Sequence, residues 1–195
     1  MTRTPDIRRA QPDDAATVAH LIAVAFGDLD VCRWLVADDT QRAQILPAYF
    51  TIVVEHALAH GTVEVTADHS ATAVWLTAPY PDIPDYDARL TAASDEWTPR
   101  FRLLDTQMHH THPSEPHEYL AFLAVAPAEQ GRGVGTALLD HRHTTLDAHG
   151  TPAYLEASNS RSRKFYTDHG YVDYAPPLDL PYHGERMYPM WRTQP

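Results

Sequence analysis

One segment governs what this chain can fold into: the run from Leu120 to Leu139, reading Leu-Ala-Phe-Leu-Ala-Val-Ala-Pro-Ala-Glu-Gln-Gly-Arg-Gly-Val-Gly-Thr-Ala-Leu-Leu. Its first seven residues are apolar without a break. They are too few for a helix of their own and predict a strand buried on both faces. Pro127 ends that strand. A glycine-rich turn then passes directly into a helix, on which Val134, Ala137 and Leu138 sit at helical spacing and Leu139 and Leu146 repeat seven apart. A helix that starts this way presents backbone N–H groups without partners, and the glycines let a bulky anion approach them. A pyrophosphate suits such a turn.

The remaining composition narrows the class. At 195 residues the chain is expected to be a single domain spanning 1–195. An apolar fraction of 44% with four Trp excludes a disordered tail protein. No apolar run reaches membrane-spanning length and the opening Met1–Asp6 stretch carries no hydrophobic leader, so a cytoplasmic address and no membrane partner are expected. Cys32 stands alone, which rules out intrachain disulfides and thiolate metal clusters. The net charge of −11 argues against nucleic acid as a partner and accords with a cationic small substrate such as an amine. An acidic surface also serves solubility. Lys164 is the sole lysine, and the wealth of Arg, Ala, Asp, His and Pro points to a GC-rich bacterial genome.

Along the chain, Ile7–Arg9 reads as a first strand. Pro12 opens a helix whose first turn carries Asp13 and Asp14, whose buried stripe is Val18, Leu21, Ile22 and Ala25, and which Gly27 stops. Helical segments follow over Leu29–Leu35 and from Asp39 to Gly61, with Ile45, Tyr49, Ile52 and Val53 on one face. Pro47 either kinks the second or starts a new helix. Thr62–Ala67 and Ala71–Leu76 flank a hairpin turn. Beyond a proline-rich loop at Pro79–Pro84 lie two weakly patterned helices, Asp85–Ala93 and Asp95–His109. Ala153–Ala157 is a strand, Arg161–Asp168 a helix closed by Gly170, and Tyr171–Tyr174 and Arg186–Trp191 the last strands.

These motifs resemble the GNAT superfamily of acetyl-CoA-dependent N-acetyltransferases. Its fingerprint Gln/Arg-x-x-Gly-x-Gly/Ala stands here as Gln130-Gly131-Arg132-Gly133-Val134-Gly135, after a strand and before a helix. A second match follows the next strand: Asn159, Ser162 (more often Ala in the family), Phe165-Tyr166 and Gly170-Tyr171. Together they cover about residues 117–171. The opening Ile7-Arg8-Arg9-Ala10 with Asp13-Asp14, and Glu115-Pro116 with Tyr119-Leu120, are similar to the puromycin N-acetyltransferase-like branch. The resemblance implies an α/β GNAT fold: a mixed, mostly antiparallel sheet of about seven strands, splayed at its centre and flanked by helices.

It implies a chemistry too. The turn from Gly131 to Thr136 would wrap the pyrophosphate of acetyl-CoA with its N–H groups, including those of Gly133, Val134 and Gly135. Charge-assisted bonds of this kind are each worth about 1.5–3 kcal/mol. Gln130 would bond the loop or a phosphate, and Arg132 would add charge at the rim. The backbone of Leu123, Ala124 and Val125 would pair with the pantetheine arm as an added strand, which requires a splay from Ala153–Ala157. The Val125 N–H would face the thioester carbonyl. Asn159 would bond a pantetheine amide or else cap the helix that carries Ser162. Tyr166 would act as general acid to the leaving thiolate. For the base, Glu118 and His117 compete with water, and adjacent strand residues point to opposite faces, so the two cannot serve together.

His109, His110 and His112 have a poor spacing for metal, and none is expected. Among Arg161, Arg163 and Lys164, contact with the 3′-phosphate of the cofactor competes with simple solvation. The acceptor site is expected between the first helices, the Pro79–Pro84 loop and the Arg186–Trp191 segment, with Trp34, Tyr49, Trp75 and Tyr182 as candidate wall or core. The function expected is acetyl transfer from acetyl-CoA to a primary amine of a small molecule in a ternary complex. A non-catalytic acyl-CoA-binding module and a protein N-terminal or lysine acetyltransferase are the alternatives, and a homodimer is a permitted assembly. The chain lacks the Lys-Ser/Thr of a P-loop, and Leu138 breaks the dinucleotide glycine spacing.

Overall fold

The computed structural model describes residues 5–193; Met1–Thr4, part of the stretch read above for its want of a leader, lie outside them. Seven strands make one sheet: β1 (Ile7–Arg9), β2 (Gly61–Thr66), β3 (Ala71–Ala78), β4 (His117–Val125), β5 (Ala153–Ala157), β6 (Val172–Asp173) and β7 (Tyr188–Arg192). Their spatial order is β1-β2-β3-β4-β5-β7-β6, with β4 and β5 parallel and every other neighbouring pair antiparallel. This is the mixed, mostly antiparallel sheet that the resemblance implies.

Helices cover both faces. On one lie α1 (Ala15–Phe26), α2 (Asp30–Leu35), α3 (Asp39–His60), α4 (Tyr86–Ser94) and α5 (Thr98–Thr111), over a core that includes Ile22, Phe50, Val74, Phe101 and Tyr119. On the other lie α6 (Val134–His149) and α7 (Ser160–Thr167), over Trp75, Leu120, Leu138, Leu155 and Met190. Trp75 is therefore core, whereas Trp34 stacks on Tyr182 with ring centroids 5.6 Å apart.

Pro47 does not break α3, which runs unbroken from Asp39 to His60. An internal proline costs a helix about 3 kcal/mol. Fully burying a large apolar side chain returns roughly 1.5–3 kcal/mol, and Leu46, Tyr49 and Phe50, all within a turn of the proline, are buried. The flanking burial wins. The apolar face differs slightly from the one expected, since Ile45 and Val53 are only partly buried while Leu46, Phe50 and Val54 are fully so. Ala25 in α1 is likewise only partly covered.

The apolar run of β4 also departs from expectation. Tyr119, Leu120 and Ala124 are buried, but Ala121, Phe122, Leu123 and Val125 are only half-covered. Two irregularities cause this. The β3–β4 register skips a residue, with Val74 opposite Phe122 and Trp75 opposite Leu120, so Ala121 bulges and shares a face with Phe122. The β4–β5 ladder pairs Glu118 with Ala153 and Tyr119 with Tyr154, and then stops.

Candidate active site

Where that ladder stops, the sheet opens. The two parallel strands diverge beyond Tyr119, and a cleft of about 1220 Å³ passes through the gap, lined on its flanks by Leu123 and Val125 of β4 and by Leu155 and Glu156 of β5. Strand geometry fixes what β4 offers there. The Ala126 N–H donates to Ser70 O at 2.8 Å, toward β3. Successive residues alternate their polar edges, so the N–H and C=O groups of Leu123 and Val125 face the gap instead. Gln130 Nε2 donates to the Val125 carbonyl at 3.1 Å, which binds the turn to the strand.

The turn opens onto the same cleft. Gly131 and Gly133 adopt φ of 75° and 82°, the left-handed region that glycine enters without strain, and a Cβ built on either would meet nothing within 4 Å. Gly133 is the N-cap of α6 and provides no side-chain cap, so the N–H groups of Val134, Gly135 and Thr136 point outward at the positive end of the helix. A Cβ on Gly135 would lie 3.5 Å from Val125 Cγ2, close against the strand end. Arg132 is exposed and pairs loosely with Glu129 at 3.4 Å.

Beyond β5, Asn159 starts α7 as a capping residue: its Oδ1 accepts from Ser162 N–H at 2.7 Å, and Ser162 Oγ accepts from Asn159 N–H at 3.1 Å. The helix-cap alternative for Asn159 is thus realised, and both residues also line the cleft. Ser162 fits the motif because its hydroxyl completes the reciprocal cap. Tyr166, two turns on, is buried and lines the cleft between the rings of Phe165 and Tyr171. Burial lifts its hydroxyl above the ordinary tyrosine range, so the proton stays on. Of the basic cluster, Arg163 is engaged with Asp173 and Lys164 with Asp168, and only Arg161 lines the cleft.

Glu118 requires correction. Its carboxylate accepts from Thr77 Oγ1 at 2.5 Å and from Arg142 of α6 at 2.6 Å, on the sheet face away from the α1–α5 helices, and it does not line the cleft. It is a structural anion. His117 fares no better: it is buried among His112, Tyr154 and Trp191, with Nδ1 held by the Glu115 carbonyl at 2.7 Å.

The cleft's other chamber is walled by Phe26 of α1, Tyr49 and Phe50 of α3 and Met108 of α5, with Phe122 of β4 as its floor. Tyr49 is both core and wall: it is buried in the core cluster and also lines this chamber. Met187 is the lining residue from the 186–191 segment. Two polar groups, Asp105 and Glu156, escaped the sequence reading, and a third, His112, belongs to the histidine cluster noted there and lines the cleft with His109 and His110. Asp105 of α5 accepts from the Tyr86 hydroxyl at 2.8 Å, and burial pushes its carboxyl up to about 6. His112 is pushed down to about 4 by burial. Glu156 accepts from the Tyr119 hydroxyl at 2.9 Å, its other oxygen is enclosed without a hydrogen-bond partner among the described residues, and burial raises it to about 7. A charged residue within a short apolar strand, as in Ala153-Tyr154-Leu155-Glu156-Ala157, was the available signal.

Comparison with known proteins accords with this geometry. Residues 102–173 match the family model of the acetyltransferase (GNAT) domain. The chain is 24% identical over 184 residues to an uncharacterized N-acetyltransferase of Schizosaccharomyces pombe, covering 85% of this chain and 73% of that one. Among solved structures, it is similar to a histone acetyltransferase HPA2 and related acetyltransferase from Corynebacterium glutamicum, at 25% identity and a TM-score of 0.74 over 99% and 98% of the two chains. The PaiA N-acetyltransferase of Thermoplasma acidophilum, solved in complex with coenzyme A, shares the fold at 12% identity and a TM-score of 0.56 over 98% and 99%. No described helix is long and apolar enough to cross a membrane.

Proposed function

We propose that this chain, an acyltransferase whose residues 102–173 match the acetyltransferase (GNAT) domain model, moves the acetyl group of acetyl-CoA to the primary amine of a small molecule by direct attack in a ternary complex. The observation that carries this reading is the gap between β4 and β5, which connects a helix-start anion site on one side of the sheet to an aromatic chamber on the other. The donor supplies an activated thioester, and this chain's residues do the rest.

The N–H groups from Gly131 to Thr136 hold the pyrophosphate, and Arg161 is placed to meet further phosphate. The gap-facing polar edges of Leu123 and Val125 hold the pantetheine arm as a strand would be held. The Val125 N–H stabilises charge gathering on the carbonyl oxygen. Tyr166 delivers a proton to the departing sulfur. In water a phenol near pKa ~10 and a thiol near ~8.5 would make that step uphill by roughly 2 kcal/mol. Burial raises the tyrosine, and a thiolate leaving into the same enclosed site is disfavoured in the same direction, which limits the added cost.

The chamber favours a cationic amine with an apolar body, given its aromatic walls and the two carboxyls of Asp105 and Glu156. Likeness of the opening segment to the puromycin-like branch brings aminonucleosides into the acceptor set. A free-thiol release assay with acetyl-CoA tests the reading against aminonucleosides, arylalkylamines, polyamines and amino acids. Release that depends on one amine is expected. Absence of amine-dependent release across the panel, together with no heat on titration with coenzyme A, would overturn it.

A further inference from the structure

With Glu118 sealed beneath α6 and His117 outside the cleft, the reaction still needs a group to take the proton from the incoming ammonium. We infer that Glu156 is the general base of the transfer and that Tyr119 positions its carboxylate, an assignment that rests on the acyl-transfer reading above. Four observations carry it.

Glu156 stands on β5 two residues past the last rung of the ladder, at the mouth of the gap. Its side chain shares the face of Tyr154, the α1–α5 side, where the acceptor chamber lies, whereas Tyr166 approaches from the α6–α7 side. A base on the acceptor's side and an acid on the donor's side bracket one opening. One carboxylate oxygen is fixed by the Tyr119 hydroxyl at 2.9 Å; the other, with the Tyr154 hydroxyl nearby, has no partner at hydrogen-bond geometry among the described residues, and an ammonium N–H would satisfy it. Burial sets this carboxyl at about 7, so near neutral pH it both accepts and releases a proton.

The groups facing Glu156 are Tyr119 from β4, Tyr154 on its own strand and Tyr80 from the β3–α4 loop, with His112 packed against Tyr119 and Tyr154. From β7 it faces Pro189, which does not titrate. The three tyrosines are raised above their ordinary range and His112 is lowered to about 4, so none of them titrates near 7. Asp105, across the chamber, titrates at about 6 and is the control.

The step balances as follows. The ammonium gives one proton to Glu156, and the freed lone pair forms the C–N bond. The C–S bond breaks with its electron pair on sulfur, and the second nitrogen proton reaches sulfur by way of the Tyr166 hydroxyl. An amide and a thiol result, and Glu156 returns its proton to solvent.

The test is the pH profile of kcat/KM for the panel amine turned over by the wild-type protein, measured on Glu156→Gln, Tyr119→Phe and Asp105→Asn. Glu156→Gln should lower kcat/KM at least 100-fold, abolish the acid limb near pH 7 and leave coenzyme A affinity unchanged by calorimetry. Tyr119→Phe removes a donor to the charged carboxylate and should move the limb to higher pH, which a merely structural residue would not do. Asp105→Asn should keep the limb near pH 7, whatever it costs in amine affinity. Glu156→Gln within threefold of wild type, or a limb that survives it or vanishes in Asp105→Asn, would overturn the assignment while leaving the acyl-transfer reading intact. A wild-type protein inactive on every amine would overturn both.

Discussion

The guanidinium of Arg142 lies 2.6 Å from Glu118 Oε2, and the pair is closed off between α6 and β4. Removing one partner of a buried pair strands the other charge, at a cost of about 3–5 kcal/mol. Glu118→Gln is therefore expected to lower the urea midpoint markedly while kcat, measured below the new melting temperature, stays within a few-fold of wild type. A urea titration run beside the thiol-release assay checks both halves.

Tyr166→Phe removes the hydroxyl and keeps the ring that packs between Phe165 and Tyr171. General-acid assistance is worth about 10²–10⁴ in rate, so kcat should fall within that range with the KM for acetyl-CoA little altered. Steady-state kinetics on both substrates gives the answer. An unchanged kcat would assign the proton to water.

Gly133 holds φ at 82° with open space where a side chain would stand. A Cβ costs about 1–2 kcal/mol in that conformation, and a longer side chain would occupy the approach of the phosphates. Gly133→Val should bind coenzyme A at least tenfold more weakly by calorimetry while the protein remains folded by circular dichroism.

Stability should also carry a signature of the two raised carboxyls. Glu156 at about 7 and Asp105 at about 6 both lie above the unfolded values for Glu and Asp of about 4.3 and 3.9. For acids raised on folding, the unfolded chain holds fewer protons in this window, so their contribution is full below pH 4 and declines as pH rises through the folded values. Between pH 5 and 8 the urea-derived stability of the wild type should therefore carry a downward component. Glu156→Gln and Asp105→Asn should each remove part of it.

The strand-turn-helix at 120–139 and the Asn159–Tyr166 motif are legible because each is local: glycine spacing, a capping residue and helical period lie within a few residues of one another. The seven strands follow from short apolar or alternating runs and the turn residues between them in the same way. The face on which β4 presents Glu118 is not legible. That depends on the bulge at Ala121 and on where β5 leaves the ladder, and both are set by contacts between distant segments. The role of Glu156 is hidden for the same reason, as a lone carboxylate in a strand gains meaning only when its neighbour diverges. Helices α4 and α5 are weakly patterned in the sequence because each buries few residues, and α5 turns others, Asp105 and Met108 among them, toward the chamber.

The early end of the ladder leaves a seam that this polypeptide does not close by itself. A guest whose amides knit into that seam would lock the two halves of the sheet to each other. Amide hydrogens along β4 and β5 would then exchange more slowly in the loaded protein than in the empty one, and its reagent would double as a structural member.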